Sequence, residues 1–126
     1  MEIKINDKYQ WTKHSIYKMR HYGLSEQRIK RVIRYPSRTE EAIIPGMIAA
    51  MKPAGLATEA LAKAAGKKYS EIWTIYKPVK STNTKYKIQN TKYNQIKIIT
   101  AWRYPGKSLT RNPIPKEILE EIKNII

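Results

Sequence analysis

Residues 12–36 read TKHSIYKMRHYGLSEQRIKRVIRYP, and this stretch decides the class of fold. Thr12 predicts the N-cap of a helix over residues 13–22, because a threonine hydroxyl can accept a hydrogen bond from a free N–H of the first turn. Gly23 suits the C-cap of that helix, where a left-handed backbone is favoured. Ser25 predicts the N-cap of a second helix, whose apolar stripe is formed by Ile29, Val32 and Ile33.

The pattern changes after Pro36, which ends the second helix because the residue before a proline is pushed out of the helical region. Strands are then predicted by β-branched and aromatic residues and by turn residues, over residues 38–44, 47–52, 70–77 and 95–103, with a further short strand over residues 2–6. We therefore expect an α+β fold in which two N-terminal helices pack on a small antiparallel sheet. A C-terminal amphipathic helix is expected over residues 115–126.

The length of 126 residues indicates a single domain, residues 1–126. Two segments interrupt the pattern of helices and strands. The alanine-rich residues 53–68 predict either a short helix or a mobile insertion, and the lysine- and asparagine-rich residues 80–94 predict a long hairpin excursion or a flexible loop.

The charge is the strongest feature of the composition. The chain has 25 Lys and Arg residues against 10 Asp and Glu residues, a formal net charge of +15. Residues 13–38 hold eight basic residues and one acid, and residues 77–111 hold nine basic residues and no acid. Such an excess indicates a polyanionic partner, nucleic acid first and a membrane surface second.

Several classes of protein are excluded or disfavoured by residues that the chain lacks. With no cysteine there is no disulfide framework, thiolate zinc site, iron–sulfur cluster or cysteine nucleophile. The N-terminus lacks the apolar core of a signal peptide, and no apolar run is long enough to span a membrane. We therefore expect a cytoplasmic protein that is not embedded in a membrane.

Two histidines, His14 and His21, fall on the first predicted helix, and Lys18 lies one turn from each. Neighbouring cations lower a histidine pKa and favour the neutral form, which can act as a base. A base beside cations is what RNA phosphodiester cleavage requires, although solvated histidines on a basic helix are the plainer alternative. The two histidines have no neighbouring carboxylate and do not match a metal ligand set, so we expect no metal and no cofactor.

Aromatic and basic residues near the last predicted strand are suited to RNA. Arg103 and Tyr104 lie at the end of that strand, whereas Trp102, with Ile98 and Thr100 expected on its face of the sheet, reads as a core residue. Glu71 is expected to be an ion-pair partner of an arginine, Arg103 or Arg38, or else an acid/base residue. The candidate nucleic-acid-binding residues are Arg20, His21, Arg28, Arg31, Arg38, Tyr76, Lys97, Tyr104 and Lys107.

Two stretches of the chain resemble known proteins. Residues 14–25, HSIYKMRHYGLS, resemble the opening of a small bacterial and phage domain family whose pattern runs His, three residues, Arg-Met and then Arg-Gly-Ile-Ser. Residues 98–103, IITAWR, are similar to the last strand of that family and of BrnT-type toxins. Both families are similar to the RelE superfamily of compact α+β ribonuclease toxins, which act on messenger RNA without a metal and are neutralised by an antitoxin.

The resemblance, which covers residues 12–38 and 70–104, implies a function and a site. It makes His14 and Arg103 the candidate functional residues, with Lys18 standing where the family usually has arginine and Tyr22 where it usually has a second one. The implied catalytic residues are thus His14, Lys18 and Arg103. The implied protein is a metal-independent endoribonuclease of the toxin–antitoxin type, with RNA, including ribosome-bound messenger RNA, as substrate and an acidic antitoxin as partner.

Two alternatives stay open at this point. The first is a non-catalytic RNA- or DNA-binding module of phage or ribosome-associated origin. The second is an interaction protein whose C-terminal helix docks on a partner or on a second copy, and the sequence leaves the oligomeric state open.

Overall fold

The computed structural model describes residues 3–6, 8–42, 44–79, 95–109 and 113–125. The predicted excursion over residues 80–94 lies outside the described residues. The elements in chain order are β1 (Ile3–Asn6), β2 (Tyr9–Thr12), α1 (Lys13–Tyr22), α2 (Glu26–Arg34), β3 (Arg38–Glu41), β4 (Ile48–Pro53), α3 (Glu59–Ala64), β5 (Ser70–Val79), β6 (Gln95–Pro105) and α4 (Lys116–Ile125). The α+β class is confirmed.

The described strands form one mixed sheet of six in the order β1-β2-β6-β5-β4-β3. All neighbours are antiparallel except β2 and β6, which run parallel with Trp11 opposite Ile98. The prediction of two N-terminal helices packed on an antiparallel sheet is therefore wrong in two respects. The predicted first strand is joined by β2 in a hairpin that precedes both helices, and the parallel pairing of β2 with β6 makes the sheet mixed. The apolar and polar residues of β2 alternate over only four positions, which is too few to predict a strand. Its parallel pairing with β6 could not be read from a local turn, because parallel neighbours need a long crossover connection, here the chain from α1 to β5.

The capping residues of the first two helices are confirmed. The Thr12 hydroxyl accepts from the backbone N–H of Ser15 at 3.1 Å, and the Ser25 hydroxyl accepts from that of Arg28 at 3.1 Å. Gly23 has a φ of 67°, the left-handed conformation that glycine adopts without strain. These local signals fix the bounds of α1 and α2 as the sequence predicts them.

Helices cover both faces of the sheet. On one face, residues of α1 and α2 join the cluster of Tyr9, Trp11, Met19, Leu24, Ile29, Val32, Ala50, Ile72, Ile98 and Ala101. On the other face, α4 joins the cluster of Ala42, Met47, Ala49, Met51, Trp73, Ile75, Ile99, Trp102, Ile118 and Ile122. Tyr22 packs against both clusters, so the C-terminal end of α1 reaches both faces.

A register shift in β6 decides which residues share a face. Ile75 lies opposite Thr100 whereas Tyr76 lies opposite Ile98, which leaves Ile99 as the extra residue. The predicted burial of Trp102 is confirmed, with 1% of it exposed. Its expected companion Ile98 lies on the other face, because the extra residue reverses the alternation between the two.

The alanine-rich residues 53–68 contain the short helix α3, capped by the Thr58 hydroxyl, which accepts from the N–H of Leu61 at 3.1 Å. Ala62 is the buried residue of this helix and Leu61 is half exposed. No helix in the described part of the chain is long and apolar enough to cross a membrane.

Candidate functional site

The N-terminal end of α1 is tied to the last strand. The Thr12 hydroxyl, besides capping α1, donates to the carbonyl of Ile98 at 2.7 Å. It is fully buried between the two elements. Because the Thr12 hydroxyl both caps α1 and binds β6, it determines where α1 begins relative to β6. It therefore also determines where the side chains of the first two turns of α1 lie against that strand.

Glu121 of α4 brings the two predicted catalytic residues of α1 together. Its Oε1 lies 3.1 Å from Nζ of Lys18, and its Oε2 lies 3.5 Å from Nε2 of His14. Lys18 is 7% exposed, an unusual burial for a lysine that this ion pair explains. Because α4 is anchored by Ile118 and Ile122, the carboxylate is held in place by core packing. We call His14, Lys18 and Glu121 the α1–α4 triad.

Glu121 is not among the site residues that the sequence predicts. The amphipathic pattern of residues 115–126 predicted a helix that packs by its isoleucines, and Glu121 immediately precedes one of them. The sequence does show that Glu121 lies at the border of the apolar stripe, which places its carboxylate at the edge of the buried face of the helix. Which helix lies beside that edge depends on tertiary structure.

The two facing atoms of the triad are sealed from solvent. Nε2 of His14 and Oε2 of Glu121 are both buried, and neither has a hydrogen-bond partner among the described residues. Burial, and to a smaller degree the charge of Lys18, lower the pKa of His14 below its ordinary value of 6.5, while Glu121 opposes the shift. At neutral pH the imidazole is therefore uncharged, the form that accepts a proton.

The titration of His14 gives a direct test of this arrangement. We expect the NMR titration of His14, assigned with the variant His14→Asn, to have its midpoint below pH 6.5. The midpoint should be higher in Lys18→Met, because the lysine lowers the pKa of His14, and lower in Glu121→Gln, because the glutamate raises it. The unfolded chain takes up the proton near pH 6.5, so His14 adds stability above that pH which is lost as the pH falls toward the folded-state value. A midpoint above 6.5, or opposite shifts in the variants, would contradict the geometry.

Arg103 lies on β6, the strand against which α1 packs, and is partly exposed. Among the described residues it makes no side-chain hydrogen bond or ion pair with the α1–α4 triad or with any other residue. The structure thus joins His14 and Lys18 through Glu121, and leaves Arg103 as a separate cation on the neighbouring strand.

Four of the predicted nucleic-acid-binding residues are engaged within the fold. Arg28 donates to the carbonyl of Ala54. Arg38 binds Glu40, and its guanidinium lies 5.4 Å from the centre of the Trp73 ring. Tyr76 packs against the core cluster on the face covered by α1 and α2, and Tyr104 packs against the cluster on the face covered by α4. Burial raises the pKa of Tyr76.

The remaining predicted nucleic-acid-binding residues are more open. Exposed side chains are those of Arg20, His21, Arg31 and Lys107, while Lys97 is partly exposed. The His21 ring packs edge-on against Tyr22, with 4.7 Å between the ring centres. The centre of the same Tyr22 ring lies 5.3 Å from Nζ of Lys18, so His21 packs on a neighbour of the triad but makes no hydrogen bond or ion pair with the three triad residues.

Glu71 serves the packing of the sheet. It is 1% exposed, and its Oε1 accepts from Nε1 of Trp73 at 3.1 Å and from the hydroxyl of Ser108 at 2.6 Å. Its Oε2 accepts from the hydroxyl of Tyr69, and burial together with this carboxylate raises the pKa of Tyr69 to about 12. Arg38 reaches the carboxylate only through the Ser108 hydroxyl, so the expected ion pair with an arginine is replaced by a set of neutral donors.

No family model, curated protein or solved structure matches the chain. Within the described ranges, no three His, Asp or Glu side chains are grouped so that they could hold a metal ion. The groups that this site offers for chemistry are a neutral imidazole, a carboxylate beside it and a buried ammonium.

Proposed function

We propose that the protein is a metal-independent endoribonuclease of the toxin–antitoxin type, related to the RelE and BrnT-like toxins that its sequence resembles. The observation that carries the proposal is the α1–α4 triad, in which a neutral imidazole lies beside a carboxylate and a cation. The α+β architecture is of the class that the resemblance implies. The +15 charge suits both an RNA substrate and an acidic antitoxin, and the proposal includes a cytoplasmic location, where RNA is the substrate.

The triad suggests how the reaction would proceed. The carboxylate of Glu121 faces Nε2 of His14, which favours the tautomer with the proton on Nε2 and leaves Nδ1 as the base. Nδ1 takes the proton of the RNA 2′-hydroxyl, and the oxygen attacks phosphorus. The bond to the 5′-oxygen then breaks and that oxygen takes a proton from water. Lys18 and Arg103 supply positive charge for the phosphorane, and the products are a 2′,3′-cyclic phosphate and a 5′-hydroxyl.

Cleavage of labelled RNA in EDTA tests this function. Wild-type protein is expected to produce 2′,3′-cyclic ends, and His14→Ala or Arg103→Ala to lower the rate at least about tenfold, a typical minimum for loss of a general base or of a charge that stabilises the transition state. His21→Ala, which removes the other histidine of α1, is the matched control and is expected to lower the rate at saturating RNA less than about threefold.

Circular dichroism of each variant shows whether it is folded. Absence of cleavage of any single-stranded or ribosome-bound RNA would end the ribonuclease proposal. Equal losses in His14→Ala and His21→Ala would remove the special role of the triad. An acidic open reading frame next to the coding sequence would support the antitoxin part, and its product should bind the protein and block cleavage.

A specific observation favours a second candidate function, a non-catalytic nucleic-acid-binding module. In the triad the charge of Lys18 is neutralised by Glu121 and Nε2 of His14 is sealed from solvent, as expected of an ion-pair cluster that holds α4 to α1. This candidate predicts steeply salt-dependent binding of nucleic acid without turnover. The same cleavage gel, with binding measured in parallel, separates the two functions.

A further inference from the structure

A pocket of about 260 Å³ lies along the outer side of α2. Its lining residues follow one another at the spacing i, i+3, i+4, i+7 and i+8, which places them on one side of the helix and just past its end. They are Gln27, Lys30, Arg31, Arg34 and Tyr35. The residues that bury α2, Ile29 and Val32, lie on its other side. Among these lining residues, only Arg31 is a nucleic-acid-binding candidate predicted from the sequence.

The five residues that line this pocket carry positive charge only. Its lining includes three cations and no acid. Arg31 and Arg34 are exposed, and neither makes a side-chain hydrogen bond or ion pair with another residue that the structure describes. Lys52 adds a fourth cation near the pocket, since its Nζ donates to the carbonyl of Tyr35 at 3.2 Å. Neighbouring like charges repel one another, and a polyanion would relieve that repulsion.

An exposed aromatic ring adjoins these cations. Tyr35 follows α2 directly and is 68% exposed, a large exposure for an aromatic residue. Arginine forks bind phosphate oxygens, and an open aromatic ring offers a face on which a nucleobase can stack. A duplex hides the faces of its bases, so this combination matches unpaired nucleotides better than paired ones.

We infer that this side of α2 binds single-stranded nucleic acid, with Arg31 and Arg34 on backbone phosphates and Tyr35 stacked on an unpaired base. The inference rests on the proposed function for RNA as the ligand in the cell, and adds a binding surface separate from the α1–α4 triad. None of the five lining residues belongs to the triad or is Arg103. A strand held at α2 would therefore be bound by residues that take no part in the proposed cleavage.

Binding to labelled oligonucleotides of about 12 nucleotides, followed by fluorescence anisotropy, tests the surface. All measurements use the His14→Ala background, so that a loss of binding is distinguished from a failure of cleavage. The double variant Arg31→Gln/Arg34→Gln is expected to bind single strands at least about tenfold more weakly and to reduce the salt slope by roughly 1.4. Lys63→Gln/Lys67→Gln removes two other exposed charges, and should weaken binding less than about threefold.

Two tyrosine variants test the stacking. Tyr35→Ala is expected to weaken binding of single strands at least about fivefold and to leave duplex binding unchanged. Tyr17→Ala removes a ring of nearly equal exposure, 66%, from α1 and should change neither. Comparing the affinities for single-stranded RNA and DNA of one sequence identifies the preferred ligand. Tighter binding of the RNA supports RNA as the ligand of this surface, and equal binding supports a site that binds single strands with either sugar.

Three results would overturn the inference. Equal weakening by the two double variants would show that binding depends on diffuse charge alone. Duplex binding as tight as single-strand binding, or a Tyr35→Ala variant with wild-type affinity, would remove the stacked base on which the choice of ligand depends.

Discussion

Replacing Glu71 by alanine is expected to lower the free energy of unfolding by about 3 to 5 kcal/mol, because several buried neutral donors lose their shared acceptor and each unsatisfied donor costs about 1 to 3 kcal/mol. The carboxylate is buried, and it accepts from the Trp73 indole, the Tyr69 hydroxyl and both donors of Ser108. In the alanine variant the buried N–H groups of Trp73 and Ser108 lose their acceptor where water cannot replace it. Urea unfolding followed by tryptophan fluorescence measures the effect.

Two further variants keep this prediction testable. Glu40→Ala removes an acid that is partly exposed and bound to Arg38, and should lower the free energy of unfolding by less than about 1 kcal/mol. Glu71→Gln keeps an oxygen acceptor in the same volume, and we expect a loss of about 1 to 2 kcal/mol. Equal losses in the alanine variants of Glu71 and Glu40 would show that the buried hydrogen bonds contribute little.

Trp73→Ala is expected to lower the free energy of unfolding by about 3 to 5 kcal/mol, the usual effect of truncating a large buried side chain. The indole is fully buried and stacks on Trp102, with ring centres 5.8 Å apart and planes 3° from parallel. Its removal leaves a cavity in the core cluster between the sheet and α4, and deprives Arg38 of the ring beneath its guanidinium. Such a loss is a large part of the total stability of a small domain.

Near-ultraviolet circular dichroism of wild type and Trp73→Ala gives a second readout, since two stacked indoles couple and one does not. Tyr35→Ala serves as the control, because it truncates an exposed aromatic ring and is expected to change stability by no more than about 0.5 kcal/mol. A Trp73→Ala variant as stable as this control would contradict the packing of the second face.

The parts of the fold that local chemistry determines could be predicted from the sequence. The caps Thr12, Gly23 and Ser25 determine their helix ends through hydrogen bonds within a few residues, and the aromatic and β-branched composition of β5 and β6 is a local signal as well. The parts that depend on distant contacts could not be predicted in this way. The strand β2 is stabilised by β6, and the reversal of faces at Ile99 arises from a register shift that no residue type announces.

The same distinction holds for the candidate site. His14 and Lys18 share one side of α1 by helical spacing, which the sequence shows directly. Glu121 reaches them only because α4 packs across from α1, and this contact spans more than a hundred positions of the chain. The charge of residues 13–38 was predicted to bind nucleic acid as a whole, but the structure separates Arg28 and Arg38, which are bonded internally, from the exposed Arg31 and Arg34.

The parallel pairing of β2 with β6 has a consequence for the order in which the molecule assembles. Tyr9 pairs with Ile96, and the hydroxyl of Thr12 reaches the carbonyl of Ile98, 86 positions further along the chain. Contacts of such long range close only after a large loop has lost its freedom, and they make folding slow. On the ribosome α1 can form early, but it gains its place beside β6 only after that strand has emerged. The candidate catalytic residues therefore come together only after β6 and α4 have been synthesised, so any activity requires a nascent chain that already includes α4.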